Sequence, residues 1–271
     1  MIANVLSIAG SDPSGGAGTQ ADLKAFSARG AYGMAALTAL TAQNTQGVSG
    51  VHLVPPDFVA AQIAAVLADV RVDAVKIGMI ATADIAAAVA DALAGYGGPV
   101  VLDPVMVAKG GAALLAPEAV AALVARLVPL STVITPNLPE AAALLGEPPA
   151  ADRETMAAQA RRLLGLGCRA ALLKGGHLDG PDSPDVLATA EGLQWFEGPR
   201  TPTRNTHGTG CTLSAALAAE LARGRPLPQA VAAAKAYVAG AVAAAGALTV
   251  GAGHGPTHHF HALWRETGSP A

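Results

Sequence analysis

Two glycine-rich loops, a lysine beside paired glycines, an Asn-x-x-Glu pair and a cysteine at a helix start carry the chemistry of this chain. The first loop, Gly10-Ser11-Asp12-Pro13-Ser14-Gly15-Gly16-Ala17-Gly18, follows an apolar run and opens a helical pattern. Glycines there permit positive φ and aim backbone N–H groups at an anion on a helix N-terminus. It is not a Walker A loop, because no Lys follows Gly15 or Gly16. Gly16-Ala17-Gly18-Thr19-Gln20-Ala21 loosely fits a dinucleotide fingerprint, but Gln43-Asn44 stand where a ribose-binding acid belongs. A tight turn without a ligand is the plain alternative. The second loop, Asn205-Thr206-His207-Gly208-Thr209-Gly210-Cys211-Thr212, runs into an apolar helix. Backbone N–H groups at 210–212 would form an anion hole where charge develops on a transferring phosphoryl group. An ordinary helix-start turn reads the same residues equally well.

The elements that must position these loops alternate along the chain. Short apolar runs at 5–9, 35–41, 74–77, 100–102, 133–135 and 170–173 read as strands covered on both faces. Amphipathic segments at 20–28, 56–69, 82–94, 117–127 and 153–166 read as helices between them. Segments 186–190 and 193–196 form a hairpin around Glu191-Gly192, and two Ala-rich helices follow at 209–222 and 227–245. The rhythm predicts a mostly parallel sheet between helical layers, a three-layer α/β/α sandwich in a single domain of 271 residues. Ligands bind such sheets at the carboxyl ends of the strands. The residues there are the polar ones: Gly10-Ser11-Asp12, Gln43-Asn44, Gly78-Met79, Asp103-Pro104, Pro136-Asn137 and Lys174-Gly175-Gly176-His177.

Composition narrows the class. The chain is 52% apolar but only 3% aromatic, so Ala, Val and Leu must build the core. A net charge of −3 and a pI near 6.1, without a basic stripe, argue against a nucleic-acid partner. Cys168 and Cys211 form no CxxC pair, which suits a reducing compartment. The N-terminus lacks the positive region of a signal peptide, and charged residues interrupt the Ala-rich stretches before the length of a membrane span. The expectation is a cytoplasmic protein off the membrane.

The blocks resemble, in order and over almost the whole chain, the ribokinase-like superfamily and, within it, the hydroxymethylpyrimidine/phosphomethylpyrimidine kinases of thiamine biosynthesis. The similarity rests on residues 9–18 with Gln20-Ala21-Asp22-Leu23-Lys24, Thr41-Ala42-Gln43-Asn44-Thr45 and Lys76-Ile77-Gly78-Met79. It continues through Leu102-Asp103-Pro104-Val105-Met106, Ile134-Thr135-Pro136-Asn137-Leu138-Pro139-Glu140, Leu173-Lys174-Gly175-Gly176-His177, residues 205–211 and the tail at 253–261. One departure is Gly110-Gly111 after Lys109, where Ser-Gly is the family pattern. Another is Cys211, which stands where an Asp general base ends the Gly-x-Gly turn in the wider superfamily; the pyrimidine-kinase branch shares it.

The resemblance implies ATP as donor, Mg²⁺ as its ion and a homodimer. It places the pyrimidine against Gly10, Ala17, Asp22, Gln43, Met79 and Val105. Gln43 also has a chemical rationale, since a carboxamide brackets the donor–acceptor edge of an aminopyrimidine; its alternative is an amide satisfying strand-end backbone. Met79 alone would read as core filler. Lys174, Thr206, Thr209 and Asn137 are expected around ATP, with Lys174 a point charge on its phosphates or else a strand-end lysine in solvent. Asp103, Asn137 and Glu140 are expected to hold Mg²⁺ through water; Asn137 and Glu140 also read as a helix capping box. Gly208, Gly210, Cys211 and Lys174 form the expected catalytic set, with the Cys211 thiol acidified by the helix start but its backbone more important than its sulfur. His258, His259 and His261 suggest a tail folded back on the body rather than a zinc site, and Cys168 a small buried apolar residue. The rival readings are a pyridoxal or pyridoxine kinase on the same scaffold, and a non-catalytic pyrimidine sensor.

Overall fold

The computed structural model describes residues 1–107, 111 and 114–264. The departure at Lys109-Gly110 therefore lies outside the described residues. From the N-terminus the chain forms β1 (Asn4–Ala9), α1 (Gly18–Ala28), β2 (Tyr32–Leu37), β3 (Ala39–Asn44), β4 (Gly47–Leu53) and α2 (Pro56–Asp69). Then come β5 (Ala74–Ile77), α3 (Ala83–Ala92), β6 (Val100–Leu102), α4 (Pro117–Ala122), β7 (Val133–Ile134), α5 (Leu138–Leu145), α6 (Arg153–Leu164) and β8 (Ala171–Lys174). The antiparallel pair β9 (Asp185–Thr189) and β10 (Gly192–Phe196) precedes α7 (Thr209–Ala222) and α8 (Leu227–Ala243).

The main sheet has the order β2-β1-β5-β6-β7-β8-β9-β10. It is parallel from β2 to β8, and β9 and β10 extend it antiparallel. Successive strand residues face opposite layers. Leu6, Ile8, Val75, Ile77 and Leu102 pack with α2 to α6, whereas Val5, Ala74, Val101 and Leu172 pack with α1, α7 and α8. The result is the three-layer α/β/α sandwich read from the alternation. Because β1 sends the chain to β2 on one side while β5 lies on the other, a crevice opens at the carboxyl end of β1.

Local signals set the helix boundaries. Pro56 opens α2, Thr82 caps α3 by accepting the Ile85 N–H, and Asp152 with Thr155 makes a capping box for α6. The segment expected as one helix over 117–127 changes to π-helical geometry at Leu123–Leu127. The strand expected over 35–41 is two elements. Buried Thr38 takes the chain out of the main sheet, its hydroxyl donating to the Met79 carbonyl at 2.7 Å. Gln43 and Asn44 therefore end β3 of a separate antiparallel ribbon with β4, not a main-sheet strand. Residues 227–247 reach the length and hydropathy of a membrane span despite their Lys and Gln, contrary to expectation. In this fold Ala230, Val231, Ala234, Tyr237 and Val238 of α8 join the core beneath the sheet.

Candidate active site

The loop after β1 is built around the Asp12 carboxylate. It accepts from Ser14 N at 2.9 Å, Ser14 Oγ at 2.7 Å and Ala17 N at 2.8 Å, and it meets His207 Nε2 at 2.7 Å. Burial works against its charge, but the bonds from His207, Ser14 and Ala17 hold the carboxyl below its ordinary value. The loop thereby grips the second glycine loop. Gly208 has φ +76° as N-cap of α7, and a Cβ there would lie 1.7 Å from the Gly16 carbonyl oxygen. Only glycine satisfies both the backbone sign and the contact. With no capping side chain on α7, the Gly210 and Cys211 N–H groups begin the helix beside the start of α1. A Cβ on Gly208 would also lie 3.2 Å from Ala17 Cα, the N-cap of α1, so two helix N-termini converge on one place.

At the neighbouring strand ends stands a compact ionic group. Lys174 Nζ, at the end of β8, donates to Asp103 Oδ1 at 3.0 Å and lies 4.0 Å from Glu140 Oε2. Asp103 also accepts from Thr135 Oγ1 and Ser214 Oγ. A Cβ on Gly210 would lie 3.4 Å from Lys174 Nζ and 3.6 Å from Asp103 Oδ2, which places the α7 start against this pair. Burial opposes both charges, yet Lys174 is held above and Asp103 below its ordinary value by their mutual attraction. Burial, with Asp103 nearby, pushes Glu140 up to about 7 against the pull of Lys174. Asn137 and Glu140 form a complete capping box on α5, with N···O distances of 2.8 and 2.9 Å. Asp103 is neutralised by Lys174, and Glu140 is only partly ionised near neutral pH, so the carboxyl oxygens of both suit a hard, oxygen-seeking cation whose charge would favour the ionised Glu140. Among the described residues no three His, Cys, Asp or Glu groups converge as a metal cage, so such an ion would keep waters.

The remaining expected residues fall into two groups. Gly10 and Met79 touch: a Cβ on Gly10 would lie 2.8 Å from Met79 Sδ, and Met79 is buried with Ala39 and Ala81. Ala17 and Val105 are half-buried at the same strand ends. Gln43 is aimed by a register shift in the ribbon between Ala42 and Gln43. It lines a cleft of about 540 Å³ with Pro13, Asn44 and Val48. Asp22 is fully enclosed instead, accepting from Lys76 Nζ at 2.8 and 2.9 Å and from Ser7 Oγ at 2.6 Å. Thr206 and Thr209 are half-buried, with Thr209 Oγ1 donating to the Thr206 carbonyl.

Two findings change or extend the sequence reading. The Cys211 thiol is not acidified: burial pushes it up to about 11, with Asp22 and Asp103 adding to the rise against Lys76. Burial outweighs the helix N-terminus because carboxylates share the enclosure. Lys76, Asp12 and His207 carry more of the site than their sequence context suggested. Lys76 is fully buried, yet Asp22, with Asp103, overcomes that burial and keeps its ammonium charged. Ala81, a non-glycine at φ +68° beside Met79, marks backbone strain in the same crevice.

The histidine tail folds back as expected. Tyr237 OH donates to the His259 carbonyl, His258 N to Ala241 O, and His259 Nε2 lies 3.0 Å from Thr212 Oγ1. Cys168 is buried, its Sγ donating to the Leu163 carbonyl.

Residues 12–258 match the family model described as phosphomethylpyrimidine kinase. The chain belongs to that family. It is 58% identical over 262 residues to the hydroxymethylpyrimidine/phosphomethylpyrimidine kinase of Salmonella typhimurium, covering 96% of this chain and 98% of that protein. Among solved structures it is similar to Bacillus subtilis pyridoxal kinase in complex with ADP, with TM-score 0.90, 38% identity and coverage of 98% of this chain and 100% of that one. The phosphomethylpyrimidine kinase of Clostridium difficile gives TM-score 0.78 at 41% identity, over 88% of this chain and 98% of that one. Membership of the phosphomethylpyrimidine kinase family accounts for the order of blocks along the chain, from the Asp12 loop to the His258 tail.

Proposed function

We propose that this chain transfers the γ-phosphoryl group of ATP to the hydroxymethyl oxygen of 4-amino-5-hydroxymethyl-2-methylpyrimidine, and then phosphorylates the monophosphate to the diphosphate, in thiamine biosynthesis. The observation that carries the reading is the meeting of the α1 and α7 N-termini beside the Lys174–Asp103 pair, with Gln43 3.5 Å from His207 of the same loop. A pyrimidine lies against Gly10, Ala17, Gln43, Met79 and Val105, with its hydroxymethyl oxygen towards Gly208–Cys211. Asp22 acts from below as a positioning residue, holding Lys76 under the α1–α7 junction. Thr206, Thr209, Asn137 and Lys174 face the nucleotide. Asp103, Asn137 and Glu140 would hold Mg²⁺ through water, and the ion would neutralise charge on the ATP phosphates when bound.

Phosphoryl transfer is mostly positioning and electrostatic stabilisation. The Gly210 and Cys211 N–H groups and Lys174 oppose the charge of the moving group, while the Cys211 thiol keeps its proton at neutral pH. The protein is one cytoplasmic kinase domain. A homodimer is supported by the resemblance and by exposed Leu40, Val51 and Leu53 on the ribbon, which a second copy would cover.

The test is ADP release from Mg-ATP with hydroxymethylpyrimidine, its monophosphate and pyridoxal in parallel. Turnover with both pyrimidines and little with pyridoxal is the expected result. Turnover mainly with pyridoxal would keep the phosphate machinery and overturn the use of Gln43 and Met79. Tight pyrimidine binding without turnover would make the protein a sensor.

A further inference from the structure

Gln43 can read a pyrimidine only if its carboxamide points one way, and the surrounding hydrogen bonds decide which. The Thr41 hydroxyl has one proton, and it goes to the Ser11 carbonyl at 2.9 Å. Thr41 Oγ1 can therefore only accept from Gln43, whose near end lies 3.2 Å away. His207 Nε2 is 2.7 Å from the Asp12 carboxylate, an acceptor without a proton to give. Nε2 thus carries the imidazole proton, which is committed to Asp12; it has no free lone pair to accept from the other end of Gln43, 3.5 Å away, and offers that end only the weaker arm of a three-centre bond. With Oε1 towards Thr41 and Nε2 towards His207, acceptor meets acceptor and donor meets donor. Half a turn of the amide satisfies both neighbours.

We propose that His207, held by Asp12, and Thr41, held by Ser11, are positioning residues that fix the sense of the Gln43 carboxamide and so select a 4-aminopyrimidine over a 4-oxopyrimidine. The inference rests on the reading of Gln43 as a pyrimidine contact. In the satisfied orientation Oε1 faces the His207 Nε2–H as the weaker acceptor of that three-centre bond and keeps a lone pair for the exocyclic amine. Nε2 gives one proton to Thr41 and keeps one for the ring nitrogen. A 4-oxo ring presents the reverse pattern, an acceptor oxygen and a ring N–H, and would leave both ends of the amide opposed.

The experiment compares kcat and KM for 4-amino-5-hydroxymethyl-2-methylpyrimidine and its 4-oxo analogue. Wild-type protein is expected to prefer the amino compound by about 10²-fold or more in kcat/KM, since a polar site rejects the mismatched analogue strongly. His207→Phe frees the amide, so that preference falls at least about tenfold, chiefly through KM. His207→Gln restores it, because its amide N–H takes the place of Nε2–H. Thr41→Val, which removes the other constraint without touching the His207 packing, lowers the preference in the same sense. Equal losses for both compounds in His207→Phe and Thr41→Val would mean a merely structural role and overturn the inference. A preference lost in Gln43→Ala but kept in both neighbour variants would overturn the inference alone. A preference untouched by Gln43→Ala would overturn the reading of Gln43 and the inference with it.

Discussion

Replacing Gly208 by Ala separates backbone geometry from thiol chemistry at the α7 start. The new Cβ would lie 1.7 Å from the Gly16 carbonyl oxygen, where ordinary contact begins at 3.4 Å, so the loops must part by the difference of 3.4 and 1.7, or 1.7 Å. Neither neighbour is a flexible side chain; the next atoms met are Gly16 C and Ala17 Cα. A misplacement of about 1 Å at a reacting centre can cost ~10²-fold, so kcat should fall by at least that factor, about 2.7 kcal/mol of barrier. The left-handed backbone adds a stability cost of about 1–2 kcal/mol, or a Tm lower by roughly 2–8 °C. Gly224→Ala is the matched control: it follows the same helix at φ +80° but has nothing within 4 Å. It should lose a similar Tm and keep its kcat. Steady-state ADP release and thermal melts on both variants make the comparison. A folded Gly208→Ala protein with kcat within about threefold of wild type would refute the anion-hole geometry, as would an equal kcat loss in Gly224→Ala.

Cys211→Ala should retain kcat within about tenfold, and the wild-type thiol should alkylate slowly below pH 9, since it titrates near 11; loss of turnover with substrate binding intact would restore the thiol as base. Lys174→Met removes the cation between Asp103 and Glu140. It should lower kcat by about 10²-fold or more and raise the KM for ATP, while the pyrimidine KM moves less than about threefold. His259 is lowered from 6.5 to about 4 by burial first, with Lys24 and His258 adding to it. A depressed histidine stabilises the fold fully above pH 6.5 and loses that contribution as pH falls towards 4, in total about 3 kcal/mol. Tm should therefore drop across that window, and His259→Gln should flatten the slope.

How much of this was legible in sequence differs by element. The strands from β5 to β8 are short apolar runs bounded by Gly, Asp or Asn, because both faces are covered. The ribbon was not: Gly47–Leu53 is mostly exposed and contains two glycines, a serine and a histidine, so burial imposes no alternation on it. The break at Thr38 depends on a bond to Met79, 41 positions away. Asn137 and Glu140, three residues apart, could be read locally as the capping box they form. The Asp22–Lys76 and Asp12–His207 pairs join residues 54 and 195 positions apart, and no local spacing announces them. The raised thiol at Cys211 follows from that same long-range burial, which a helix-start rule omits.

The most direct measurement is ³¹P NMR of purified protein with Mg-ATP and hydroxymethylpyrimidine, followed in time. A phosphomonoester signal should appear and give way to the paired signals of a diphosphate ester, with ADP accumulating in step. Inorganic phosphate as the sole new phosphorus product, with the pyrimidine unchanged, would contradict the proposed phosphorylation.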